Sequence, residues 1–217
     1  MRTQRQAGFT LIEVVISTLL LGTVMGAVVM MTTRNHEAYR ANTRQAKIEQ
    51  ALQRSLVRAS VELRDSTALT LPPALAGVFG SSDFLFESNP DVAGGALTFQ
   101  SFGRLGFQYD AGEADDGIDN DGDGLIDEGV LFLERDSGGP NQRRIILAKN
   151  VRELLQGEAP NAVDDNGNGL VDEPGFVASV VGDVVTLRLT IEETTPEGGL
   201  VTRTADSSVR LRNTMGP

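Results

Sequence analysis

Cysteine is absent from the 217 residues of the chain. That excludes a disulfide framework and thiolate chemistry, while leaving the redox compartment open. Histidine occurs once, as His36, just past a long apolar run. A histidine-rich zinc site is therefore excluded, and a His-based triad would have to use that one residue. Positive charge is scarce: 19 Lys and Arg stand against 30 Asp and Glu, a formal net charge of -11. A bulk surface of that sign is not expected to bind nucleic acid. No phosphate-cradling glycine loop is present, since Gly122-Asp123-Gly124 belongs to an acidic repeat rather than a dinucleotide site. Paired carboxylates are plentiful, but that repeat accounts for them more simply than glycoside hydrolysis does, and no enzyme is expected. Proline and glycine are both missing between Ala27 and Thr70, so nothing there breaks a helix.

What the chain does have is a long apolar run. Phe9 to Met31 comprises 23 residues, all uncharged except Glu13. As a helix this spans roughly 30 Å of hydrocarbon. A carboxylate in the apolar part of a membrane costs about 3 kcal/mol or more unless compensated. Arg2 and Arg5 precede the run and are expected to stay cytoplasmic, with the remainder crossing. A plain anchor, or a secretory signal peptide cut near Ala27-Val28-Val29, are the competing readings, and neither gives Glu13 a purpose.

Beyond the run, Ala41, Gln45, Ile48, Leu52, Leu56, Ala59 and Leu63 recur at helical spacing among polar residues. The spacing predicts one helix continuing to about Leu69, with Leu71-Pro72-Pro73 as its stop; two helices joined at Thr32–Asn35 are the alternative. After Pro73 the pattern changes to strands. Those expected are Leu97–Phe99, Leu105–Tyr109, Val130–Leu133, Arg144–Leu147, the alternating run Val184–Glu192, and a closing strand Val209–Arg212. Glu197-Gly198-Gly199 reads as a turn. A sheet with one apolar face needs a cover, and the amphipathic half of the helix is the large candidate.

Between the strands lie two copies of one acidic pattern, 45 residues apart. The first runs from Asp116 through Asp119, Asp121, Asp123, Leu125 and Asp127 to Glu128. The second runs from Asn161 through Asp164, Asn166, Asn168, Leu170 and Asp172 to Glu173. Both fit D-x-[DN]-x-[DN]-G-x-[IV]-D, the front of an EF-hand calcium loop. Oxygens at loop positions one, three and five converge on an ion, Leu125 and Leu170 offer backbone carbonyls, and Asp127 and Asp172 occupy position nine. Ile126 and Val171 are expected to point inward and pin each loop. Position twelve is Val130 or Gly175 rather than glutamate, so Glu128 and Glu173, two residues early, are candidates for that role. One or two structural calcium ions are expected, at dissociation constants of about 0.1–1 mM, tighter in the first loop. Solvated Asp/Gly turns are the alternative.

The basic leader, the Gly8-Phe9 junction and Glu13 resemble a type IV prepilin leader. The resemblance implies cleavage after Gly8 by a prepilin peptidase, methylation of the new Phe9 terminus, and a mature chain of 209 residues. Cleavage would put an ammonium on Phe9 at a helix end, where Glu13 of a neighbouring subunit could pair with it and fix axial register. "LQRSLVRASVELRDS", "RLGFQYD", "RIILAKNVRELL", "VVTLRLTIEE" and "VRLRN" in succession resemble the J-type minor pseudopilins of type II secretion and the W-type minor pilins of type IV pili. The fold implied is α+β and pilin-like: a long N-terminal helix, half membrane-spanning and half amphipathic, packed on an antiparallel sheet with two calcium-loop insertions. The segments are a leader 1–8, a transmembrane helix 9–31, an amphipathic helix 32–70 and a β-rich periplasmic domain 71–217. Implied partners are other pilin-like subunits, the prepilin peptidase/methylase and an inner-membrane assembly platform. A membrane-anchored calcium-dependent binding module is the competing function.

Overall fold

The computed structural model describes residues 8, 10–66, 80–93 and 96–212. Phe9, the leader residues 1–7 and the expected stop at Leu71-Pro72-Pro73 lie outside them. The chain divides into two compact units, Met1–Ala46 and Lys47–Pro217. Helix α1 (Leu11–Arg64) runs without a break through Thr32–Asn35.

In the first unit α1 exposes its apolar side chains from Leu11 to Met31. Its threonine hydroxyls are satisfied locally: Thr18 donates to the Val15 carbonyl, Thr23 to Leu20 and Thr32 to Val28, at 2.8–2.9 Å. A helix that bonds its own hydroxyls and, Glu13 apart, presents mainly hydrocarbon suits a bilayer. Among the described residues α1 is the one helix long and apolar enough to cross a membrane.

The second unit holds the amphipathic end of α1 and seven strands: β1 (Asp83–Ala93), β2 (Ala96–Tyr109), β3 (Gly129–Arg135), β4 (Arg143–Val151), β5 (Phe176–Val181), β6 (Val184–Thr194) and β7 (Leu200–Arg210). They form one antiparallel sheet in the order β1-β2-β3-β4-β6-β5, with β7 on the other side of β6. Contact of β4 with β6 is a single register pair, Val151 with Ile191, and β5 continues that flank of β6 toward its start. Two strands escaped the sequence. β1 contains Pro90, which an edge strand tolerates because only one side needs hydrogen bonds. β5 is a short run, apolar except for Ser179, with no alternation to reveal it. The last strand is Leu200–Arg210 rather than Val209–Arg212, and its turn after β6 is closed by hydrogen bonds from the Thr195 amide to the Gly199 carbonyl and from the Gly198 amide to the Thr195 carbonyl, across the expected Glu197–Gly199 turn.

Ile48, Leu52, Leu56, Ala59 and Leu63 of α1 are buried against the sheet face carrying Phe84, Phe86, Leu105, Leu131, Leu133, Leu187 and Leu189. Full burial of each leucine contributes on the order of 2 kcal/mol. Ala41 and Gln45, predicted to belong to this stripe, are exposed, so it begins at Ile48. Ser55 adds a polar tie: its hydroxyl lies 2.6 Å from the Leu147 carbonyl and 2.8 Å from that of Ala51. α1 ends at Arg64, short of the predicted Leu69. The Ser66 amide and hydroxyl both donate to the Leu63 carbonyl, and the Arg212 amide donates to that of Arg64, so the last turn is capped from both chain directions.

Among the described residues no helix covers the opposite face, yet Phe132 is buried there. The guanidinium carbons of Arg144 and Arg104 sit 4.3 and 5.3 Å from the centroid of its ring. Glu134 on the same face is 2% exposed and lies directly across from Arg104 on β2 and Arg144 on β4. Arg144 Nε donates to Glu134 Oε1 at 2.8 Å and Ser137 Oγ donates to Oε2 at 3.0 Å. Burial alone would raise this carboxyl, but the hydrogen bonds from Arg144 and Ser137 and the two cations outweigh it and hold it below the usual range.

Candidate functional site

Two regions carry chemistry. The first is the start of α1. Thr10 precedes the helix, its hydroxyl accepts from the Glu13 amide at 3.3 Å, and Glu13 Oε2 accepts from the Thr10 amide at 2.9 Å. This is a reciprocal capping box, with Oε2 also accepting the Thr10 hydroxyl at 2.9 Å. A neighbour's amino terminus is therefore not the sole source of compensation for Glu13: its own chain satisfies part of the carboxylate. Gly8 is exposed, and a side chain added there would meet nothing within 4 Å. Phe9, the predicted new terminus, is outside the described residues.

The second region is the pair of acidic loops. The first joins β2 to β3 and the second joins β4 to β5. Their backbones follow one path. Positive φ angles recur at Gly112 and Gly157, Gly117 and Ala162, Gly122 and Gly167, Gly124 and Gly169, and Asp127 and Asp172. Hydrogen bonds recur as well. The Gly122 amide donates to Asp119 Oδ1 at 2.6 Å and the Gly167 amide to Asp164 Oδ1 at 2.7 Å. Asp121 Oδ1 accepts from the Asp123 amide at 3.0 Å, as Asn166 Oδ1 does from Asn168.

Asp127 and Asp172, placed by pattern at position nine, face inward within their own loops. Asp127 accepts from the amides of Asp116 and Gly117 at 3.2 and 2.8 Å. Asp172 accepts from those of Asn161 and Ala162 at 3.4 and 2.9 Å. Asp116 and Asn161 spend Oδ1 on the amides two residues on, Ile118 and Val163. These four residues shape the loops. Ile126 and Val171, expected to pin them, are 53% and 52% exposed, and Leu125 at 1% is the buried anchor of the first loop. In the second loop the equivalent Leu170 is only partly buried, although Asp172 has the same positive φ as Asp127.

Sequence reading missed a residue in each loop. Glu113 Oε1 accepts from the amides of Asn120 and Asp121 at 2.9 and 2.8 Å. Its counterpart Glu158, 1% exposed, accepts from the amides of Asn166 and Asp172 at 3.1 and 3.2 Å. The signal was present: Gly112-Glu113-Ala114 and Gly157-Glu158-Ala159 carry the 45-residue repeat, with each glutamate six positions ahead of the start of the EF-hand pattern.

In the first loop carboxylate oxygens gather in two sets that share Asp121. Glu113, Asp121 and Glu128 form one, and Asp119, Asp121 and Asp123 the other, each with oxygens within 4.8 Å of one another. Glu128 is 3% exposed, and burial first, then the charges of Asp123, Glu113 and Asp121, push its carboxyl up to about 7 despite its own backbone amide. A third set, Asp115, Asp127 and Glu153, lies at the base, where the Tyr109 hydroxyl donates to Glu153 Oε1 at 3.1 Å. Burial, then Asp115 and Asp127, raise Glu153. Among the described residues no such set forms in the second loop. All donors are oxygens, the chemistry of a hard cation such as calcium rather than a soft metal.

No curated protein and no solved structure matches the chain. Residues 3–29 match the prokaryotic N-terminal methylation motif. This motif implies processing by prepilin peptidase and assembly with other pilin subunits, and it marks structural subunits rather than enzymes. With the apolar run of α1 and the antiparallel sheet, the motif fits an inner-membrane-anchored α+β protein, and the chain carries the prepilin-type signature of type IV pilin-like proteins.

Proposed function

We propose that the chain is a minor pseudopilin, a structural subunit at the tip or in the initiation complex of the pseudopilus of type II protein secretion. The observation that carries this reading is the methylation motif at residues 3–29, running into an exposed apolar helix with a single carboxylate, Glu13. Cleavage after Gly8 creates a cationic terminus at Phe9. In a bundle of such helices, Glu13 of one subunit exchanges its Thr10 contact for the terminus of the next, and each buried charge offsets the other. The sheet domain, Lys47 onward, stands in the periplasm. The same residues serve a minor pilin of a type IV pilus, and the partners decide between the two.

The acidic loops belong to the same reading. Calcium in the first loop stiffens the connection between β2 and β3 in the periplasmic domain; it is a structural ion and not a signal.

Co-purification from native membranes tests the assignment. Secretion pseudopilins and their assembly platform among the partners support it; pilus subunits alone replace it with the minor-pilin reading, and absence of any pilin-like partner leaves an anchored calcium-binding module. Mass spectrometry of the same material should find a methylated N-terminus at Phe9, and an intact Met1 would refute the processing step.

A further inference from the structure

Resting on the calcium reading above, the geometry points to an inner cation site. We propose that it is built by Glu113, Asp121 and Glu128, with Asp119 and Asp123 above them, and that the second loop is the same device closed without a cation. Three observations carry this. Glu128 is 3% exposed, its Oε2 has no hydrogen-bond partner among the described residues, and its carboxylate lies within 4.8 Å of those of Glu113 and Asp121. Glu113 Oε2 is likewise buried and unpartnered, while Oε1 is held by two backbone amides that aim the side chain. A buried, unpaired carboxylate oxygen facing two other carboxylates is costly unless a cation sits between them.

In the second loop Glu173 Oε2 is also buried and unpartnered, but no set of carboxylates gathers around it among the described residues, and its Oε1 has an amide partner. Asp123 and Asn168 are counterparts, and each uses Oδ1 to accept the amide two residues on, Leu125 at 2.9 Å or Leu170 at 2.8 Å. With that oxygen fixed, the other atom of the group points elsewhere. In Asn168 it is Nδ2, and it donates to Glu173 Oε1. In Asp123 it is a second oxygen, and an oxygen cannot donate to Glu128. Both oxygens of Glu158 are taken by amides, whereas Glu113 keeps one free of them. The two amide side chains also lower the acid count: five carboxylates surround the first site, and three the second, where Asn166 and Asn168 stand for Asp121 and Asp123. The ligand set therefore begins at Glu113, outside the EF-hand pattern, and supplies from the N-terminal side what position twelve lacks.

The test is equilibrium dialysis of the full-length chain in detergent against radioactive calcium. Wild type should bind one calcium per chain. Glu113→Gln keeps the oxygen that accepts the two amides and should weaken binding on the order of tenfold or more, while Glu158→Gln should leave it unchanged. The double variant N166D/N168D should retain the first site and bind a second calcium. Two equivalent sites in wild type, an unchanged affinity in Glu113→Gln, or a stoichiometry of one in the double variant would each overturn the inference while leaving calcium binding intact. Absence of calcium binding in wild type overturns the calcium reading itself.

Discussion

The loops between β2 and β3 and between β4 and β5 share a backbone path down to matching positive φ angles, yet they solve the same electrostatic problem by different means. Each folds a glutamate under itself, Glu128 or Glu173, both 3% exposed. In the second loop the amide of Asn168 faces it; in the first, carboxylates do. Glu134, on the sheet face opposite α1, gives a third solution, in which arginines of the neighbouring strands supply the positive charge. Backbone geometry therefore does not by itself say whether a site takes an ion. The atom presented by one side chain does.

Burial provides the largest way to separate the loops. Leu125→Ala should destabilise by about 2–4 kcal/mol in denaturant unfolding, because a 1%-exposed side chain leaves a cavity. Leu170→Ala, at a half-exposed position, should cost about 1 kcal/mol or less, and equal costs would mean that both loops are anchored alike. Glu158→Ala comes next. It strands the amides of Asn166 and Asp172 and should cost about 2–3 kcal/mol whether calcium or chelator is present. A calcium-dependent loss would place an ion in the second loop. Calcium at tenfold excess over its dissociation constant should stabilise wild type by about 1.4 kcal/mol. Thermal melts should show Asp123→Ala losing much of that gain and Asn168→Ala keeping it. Smallest is Ala162→Gly, which relieves a φ of 58° that glycine adopts freely at the equivalent Gly117 and should stabilise by about 1 kcal/mol.

Acid separates Glu128 and Glu134 by sign. Glu134 is held below the usual carboxyl range, so its contribution is present above about pH 4.5 and is lost as pH falls through its folded value. In chelator Glu128 runs the other way. Its carboxyl is pushed up to about 7, so its contribution is present below about 4.5 and is lost as pH rises through 7. Unfolding midpoints of Glu128→Gln and Glu134→Gln against pH, both in chelator, should flatten opposite limbs of the wild-type profile.

Much of this molecule was legible in the chain. The apolar run with Glu13, the amphipathic stripe from Ile48 to Leu63 and the alternation of Val184–Glu192 each follow a period that burial imposes, and each is seen in α1 or β6. β1 and β5 were missed where that period fails, one interrupted by proline at an edge and the other apolar on both faces except at Ser179. In the loops the repeat itself was plain. Glu113 and Glu158 escaped because the EF-hand pattern starts after them, and Ile126 was mistaken for the anchor because pattern cannot choose between adjacent aliphatics.

The ties between α1 and the sheet also set how the sheet domain answers to force. Ser55 is fastened to β4 mid-helix through the Leu147 carbonyl, and the end of the helix is fastened to the last described residue through Arg212 and Arg64. An axial pull on the amphipathic end of the helix is expected to load both fastenings together with the Ile48–Leu63 stripe, in shear rather than by peeling. Resistance of that kind is measured as a rate of rupture and not as an equilibrium stability. A subunit built this way carries tension through its sheet, with the helix as the tendon and the C-terminal strand as its second attachment.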